Sequence, residues 1–170
     1  MVRDIRVLGT GQLLDLQRQL RRAGNENLRR SMQRRVRRAA EPLRSDLQNV
    51  IRNLPITSQA RKAGNRGGPS PTTRPLRASI AAAVRISVRT TGRPGARVWL
   101  DRSLLPPDIT MGMINRLEEG RLRHPTFGNR SRWVQQTTTP LWWATTVRAH
   151  TPRMTREVER IVDDVRRYLE

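Results

Sequence analysis

Residues 80–101 read IAAAVRISVRTTGRPGARVWLD. Laid out as an extended chain, Ile80, Ala82, Val84, Ile86 and Val88 fall on one side and Arg85, Ser87 and Arg89 on the other, the period of two expected of a half-buried strand. The turn-forming residues Thr91 to Gly95 follow. Ala96 to Asp101 then returns with Val98 and Leu100 on one face, so the stretch predicts a β-hairpin.

Working outward, Val2 to Leu8 alternates in the same way, with Ile5 and Val7 opposite Asp4 and Arg6, and predicts a further strand. Thr10 is placed to cap a short helix through Leu13, Leu16 and Leu20 that ends at Gly24. Asn25 is placed to cap a longer helix reaching Leu54. Its apolar stripe is Leu28, Met32, Val36, Ala39, Leu43, Leu47, Val50 and Leu54. Pro42 lies inside that stripe and predicts either a kink or two helices meeting there.

Between Pro55 and Pro75 (PITSQARKAGNRGGPSPTTRP) there are four basic residues, no acidic one and no apolar periodicity. This predicts a flexible basic loop over 55–75. Ile109 to Gly120 reads as a short helix, and residues 121–150 mix turn signals with Phe127, Trp133, Trp142 and Trp143. A last helix is expected from the cap-and-proline pair Thr151-Pro152 to Glu170, with Met154, Val158, Ile161, Val162, Val165 and Leu169 on one stripe. The element order predicts one α+β domain over residues 1–170. Its small, mainly antiparallel sheet, the N-terminal strand plus the hairpin, is packed by the long kinked helix and the C-terminal helix.

Charge narrows the function classes. The chain has 170 residues, with 34 Lys+Arg against 14 Asp+Glu and a formal net charge of +20. Residues 1–54 carry 13 basic against 5 acidic side chains, residues 55–150 carry 16 against 4, and residues 151–170 are balanced at 5 against 5. Such a surface attracts nucleic acid through phosphate neutralisation, yet no zinc-finger spacing, basic zipper or aromatic ribonucleoprotein motif accompanies it. Arg29, Arg30, Arg34, Arg35, Arg37 and Arg38 read equally as a phosphate-facing cluster, as a solvated helix face or as a surface for acidic protein partners. All but one of the basic residues are arginine, a bias that a G+C-rich coding sequence also produces.

Cysteine is absent, which removes disulfides, thiol nucleophiles and thiolate metal sites. No run approaches the ~18 to 20 apolar residues that cross a bilayer. His124 and His150 stand at no metal-ligand spacing. Glu118 and Glu119 invite a general-base role beside His124, but neighbouring residues on a helix point about 100° apart, and the simpler reading is a solvated helix end. Gly64, Gly67 and Gly68 lack the Lys-Ser or Lys-Thr of a phosphate loop. No catalytic residue, metal ligand or cofactor is expected, and the chain does not read as an enzyme.

The segment Arg123-His124-Pro125-Thr126-Phe127-Gly128-Asn129-Arg130, then Trp133-Val134, then Pro140-Leu141-Trp142-Trp143 before an amphipathic terminal helix, resembles the small neck proteins of long-tailed actinobacteriophages. This is the tail-completion or head-tail joining family. Arg37-Arg38-Ala39-Ala40-Glu41-Pro42-Leu43 and Leu76-Arg77-Ala78-Ser79-Ile80 extend the resemblance over nearly the whole chain. It implies a virion protein, assembled in the host cytoplasm, that forms a hexameric ring at the head-tail interface around the DNA channel. Its neighbours there would be connector or stopper proteins on one side and tail-tube or terminator proteins on the other.

The subunit or partner contacts implied are His124, Phe127, Asn129, Trp133, Trp142 and Trp143, with Val158, Ile161, Val162 and Val165 of the terminal helix. Read as residues alone, at least two of Phe127, Trp133, Trp142 and Trp143 are core anchors. Trp142 and Trp143 would point oppositely in an extended segment, one to the core and one to an interface. Arg61, Lys62 and Arg66 are the candidates for the DNA channel, because a flexible segment can follow a moving backbone. A tail-terminator ring is the alternative within the same class. A non-specific nucleic-acid-binding packaging or regulatory protein is the alternative from another.

Overall fold

The computed structural model describes residues 5–8, 15, 18, 26–58, 76–89, 95–126 and 129–169. In chain order its elements are β1 (Ile5–Leu8), α1 (Glu26–Asn53), β2 (Ile56–Ser58), α2 (Leu76–Ala82), β3 (Val84–Arg89), β4 (Gly95–Leu100), a 3-10 turn (Arg102–Leu104), α3 (Met111–Glu118), β5 (Arg121–Thr126), β6 (Asn129–Thr138) and α4 (Trp142–Leu169). The fold is α+β, with two three-stranded sheets in the orders β1-β4-β3 and β2-β6-β5. The chain divides into two compact units. One is built from residues 3–46, 84–100 and 146–170, the other from residues 1–2, 47–83 and 101–145.

The first of these units holds the sheet expected from the hairpin and the N-terminal strand. β4 pairs antiparallel with β3, Ile86 opposite Val98, and with β1, Ile5 opposite Val98. Along β4 burial alternates, with Ala96, Val98 and Leu100 inside and Arg97 and Trp99 half-exposed. The Arg97 guanidinium lies 5.0 Å from the Trp99 ring centroid on that outer face.

The hairpin begins later than its alternation implies. Ile80 and Ala82 belong to the α2 helix, and extended chain starts only at Val84. The Leu-Arg-Ala-Ser-Ile-Ala-Ala run favours helix by propensity, and alanine satisfies a period of two without choosing it. Ala82 is exposed while Ala81 and Ala83 are buried, the reverse of the alternation.

Helix α1 is continuous through Pro42, which excludes two helices meeting there. Its buried positions are Met32, Val36, Ala40, Leu43, Leu47 and Ile51, and Leu54 is buried just past its end. Ala39 and Val50 are only half-buried. The true stripe uses their neighbours Ala40 and Ile51, since both choices satisfy a period near 3.6.

Within the same unit α1 and α4 run antiparallel. Arg35 pairs with Asp164 at 2.5 Å and Asp46 with His150 at 2.7 Å, so residue numbers rise on one helix as they fall on the other. The terminal stripe is buried at Met154, Val158, Ile161, Val162 and Val165.

The second unit corrects the sequence reading most. Residues 121–150 do not form an irregular segment: β5 and β6 make a long hairpin, and β2 adds to its base with Ile56 opposite Thr138. Residues 56–58, expected inside a mobile loop, are therefore a strand. Residues 59–75 lie outside the described residues, as do most of the expected 10–24 helix and the 91–94 turn; Asp15 and Arg18, both helical, form an exposed ion pair at 3.4 Å.

Thr110 caps α3 by accepting the Met113 N–H at 3.2 Å. Gly120 ends it at φ 84°, the left-handed position that favours glycine. Helix α4 begins at Trp142 rather than at Thr151, and Pro152 lies inside it. The cap that allows the early start comes from elsewhere in the unit. Glu118, 1% exposed, accepts the N–H groups of Trp143 and Ala144.

Candidate interaction surfaces

The β5–β6 hairpin carries His124, Asn129 and Trp133 of the candidate contact residues. Near its base the strands obey ordinary one-sided burial: Leu122 is buried, and residues 134–138 of β6 alternate between half-buried and exposed. From Asn129 to Trp133 every residue is exposed. This outer part of β6 is an arm on the surface of the chain, where its side chains can meet another molecule.

Trp133 lies on this arm, 47% exposed and held in place. Its indole Nε1 donates to the Arg130 carbonyl at 2.7 Å, and the Arg123 guanidinium stands 5.0 Å from the ring centroid. The register accounts for that stack. Trp133 pairs with Pro125 and Gln135 with Arg123, which makes Arg123 the diagonal neighbour of Trp133 on the same face. Asn129 shapes the start of β6, its Oδ1 accepting both the backbone N–H of Ser131 at 2.9 Å and its hydroxyl at 2.6 Å. Arg121, Arg123, Arg130 and Arg132 are all exposed along the hairpin, and Glu119 pairs with Arg121 at 3.3 Å. His124 stands in β5 opposite Val134. Phe127 lies outside the described residues.

Trp142 and Trp143 are not an interface pair. Both are buried, at 3% and 2% exposure, and their rings meet edge to face with centroids 5.7 Å apart. The expectation that they point oppositely assumed extended chain; in the first turn of a helix neighbours diverge by only about 100°. Val158, Ile161, Val162 and Val165 are likewise buried within the chain itself. Arg61, Lys62 and Arg66 lie outside the described residues.

Glu118 is also not the solvated helix end its position implies. Its carboxylate is occupied by two backbone donors, which leaves it a structural cap. Glu119 is exposed beside Arg121. Among the described residues no group of three or more His, Cys, Asp or Glu is placed to hold a metal ion, and no helix is long and apolar enough to cross a membrane.

A second charged surface lies on α1. Arg30, Arg34, Arg37 and Arg38 are exposed on the side away from Val36, Ala40 and Leu43. Arg29 and Arg30 reach Glu26 at 3.6 and 3.0 Å, and Arg35 is committed to Asp164. Among the described residues Arg34, Arg37 and Arg38 enter no ion pair.

No family model matches the chain, and neither the search of curated proteins nor that of solved structures finds a similar protein.

Proposed function

We propose that this chain is a structural assembly protein of the phage neck. In this reading its subunits close into a hexameric ring that joins the tail to the capsid connector around the DNA channel, in the virion, with no catalytic role. The observation that carries it is the β5–β6 arm, which exposes an oriented tryptophan beside an arginine on a strand segment that is exposed from Asn129 to Trp133. Tryptophan and arginine are the residues most enriched among the energetic anchors of protein interfaces. The resemblance of residues 123–143 to neck proteins supplies the particular assembly.

The test is the mass of the purified full chain in solution, by light scattering on a sizing column at low salt and at roughly 0.5 M salt, where charge attraction is screened. A defined ring that persists at high salt and is lost in Trp133→Ala is the expected result. A monomer at every concentration, or a ring indifferent to Trp133→Ala and Arg123→Ala, would sink this use of the arm. The tail-terminator reading predicts the same ring and differs in its neighbour, which a map of the intact particle distinguishes. The reading of a non-specific nucleic-acid-binding protein draws on the arginine face of α1.

A further inference from the structure

We infer that the exposed arginine face of α1 is a phosphate-backbone contact site for duplex DNA. The inference goes beyond the neck reading and does not depend on ring closure.

Residues 27–40 (NLRRSMQRRVRRAA) contain no acidic side chain. Arg29 and Arg30 share Glu26 at the start of the helix and Arg35 is committed to Asp164, which leaves Arg34, Arg37 and Arg38 without an acidic partner among the described residues. The three lie at i, i+3 and i+4, on neighbouring turns of one face, and all are exposed. Arg30, one turn earlier, extends the row to a rise of about 12 Å at 1.5 Å per residue.

An acidic protein and a nucleic acid both offer negative charge, but they ask for different surroundings. A protein interface of useful strength has an apolar or aromatic anchor at its centre. The β5–β6 arm has one in Trp133. The α1 face has none: the residues flanking the arginines are Ser31, Gln33 and Glu41, and Met32, Val36 and Ala40 are buried on the opposite side. A hydrophilic row of planar guanidinium groups, with the adjoining Glu41 carboxylate taken up by Arg44, suits phosphate, which arginine meets with two parallel hydrogen bonds.

The spacing fits as well. Duplex DNA carries one charge per about 1.7 Å of axis, so a 12 Å row spans roughly seven phosphates and each arginine finds a partner without a fixed register. Contacts of this kind are indifferent to sequence, since phosphates position a protein and only base edges specify.

The experiment measures binding of the full chain to a labelled random-sequence 30-base-pair duplex across a salt series. Four proteins are compared: wild type, Arg34→Gln/Arg37→Gln/Arg38→Gln, the same three positions changed to Lys, and a charge-matched control at the exposed α4 positions, Arg148→Gln/Arg153→Gln/Arg156→Gln. Each lost phosphate contact lowers the slope of log K against log salt by about 0.9. The α1 Gln triple should therefore lose between about 2 and 3 from the slope and bind at least tenfold more weakly at low salt, while the Lys triple and the α4 control keep the wild-type slope. Circular dichroism confirms that the variants are folded, and the Lys triple keeps the question open to a decision if the Gln triple is not. An equal loss in the α4 control would show that net charge alone is responsible and would overturn the site. So would a Gln triple with the wild-type slope, or displacement of DNA by poly-glutamate as effective as by unlabelled duplex at equal charge.

Discussion

The Glu118 carboxylate meets the backbone N–H of Trp143 at 2.8 Å and that of Ala144 at 3.0 Å, in a site where Glu118 is 1% exposed. One side chain at the end of α3 thus satisfies two of the donors that open every helix, here those of α4. The Glu118 carbonyl also accepts the Leu141 N–H at 2.7 Å, which holds Leu141 at φ 57° immediately before that helix. The capping carboxylate favours the positive end of the helix dipole as well.

Removing that cap should be among the most damaging polar changes in the chain. Glu118→Ala strands two N–H groups that lose charge-assisted hydrogen bonds worth about 1.5 to 3 kcal/mol. Urea denaturation of Glu118→Ala and Glu118→Gln should show a large loss for the first and a smaller one for the second, which keeps the acceptor but not the charge. Equal stability of wild type and Glu118→Ala would show that the cap contributes nothing.

The Arg35–Asp164 pair links α1 and α4 and should make folding sensitive to acid. Its hydrogen bond from Arg35 holds the Asp164 carboxyl below the usual carboxylate range, against the opposing effect of burial, and Arg167 and Arg160 add smaller pulls. A carboxyl depressed in the folded state contributes stability above its unfolded value of ~3.9 and loses it as pH falls through the lower folded value. Stability measured from pH 6 down to pH 2 should therefore decline more steeply in wild type than in Asp164→Asn.

Gly120 should not accept a side chain. At φ 84° an added Cβ would approach Pro140 Cβ to 3.0 Å and the Thr138 carbonyl oxygen to 3.1 Å. Both the backbone conformation and the space oppose it, so Gly120→Ala should cost more than about 1 kcal/mol. A thermal midpoint unchanged in that variant would count against this turn geometry.

Pro152 offers the opposite prospect. It is exposed, lies inside α4 and withholds the N–H that would bond to the carbonyl four residues earlier. Pro152→Ala should raise stability by about 1 to 3 kcal/mol, read from denaturant midpoints. Destabilisation instead would indicate that the chain depends on the proline's geometry.

The α4 stripe makes a further test of the core. Ile161 is 3% exposed, and Ile161→Asp forfeits about 1.5 to 3 kcal/mol of apolar burial and places a charge where none is matched. Loss of the cooperative unfolding transition is expected, whereas Glu159→Gln, on the exposed face, should leave it unchanged.

Periodicity was enough to find α1, the α4 stripe and a small sheet of the N-terminal strand and the hairpin, though not the order of its strands, because one-sided burial writes a repeat of 3.6 or 2 into the chain wherever a face is covered by its own core. The absence of cysteine and the excess of arginine were equally plain. Local pattern misled where it was degenerate: alanine let 80–83 pass for strand, and Thr151-Pro152 has the form of a helix start although the helix is already nine residues old. The outer part of β6 left almost no trace because its five exposed residues have no buried face to impose alternation. Glu118 became a buried cap, Trp142 and Trp143 became core, and Trp133 was left outside through tertiary placement. Each outcome depends on which backbone donors or side chains a residue meets from distant sequence, and that is information carried by packing rather than by spacing.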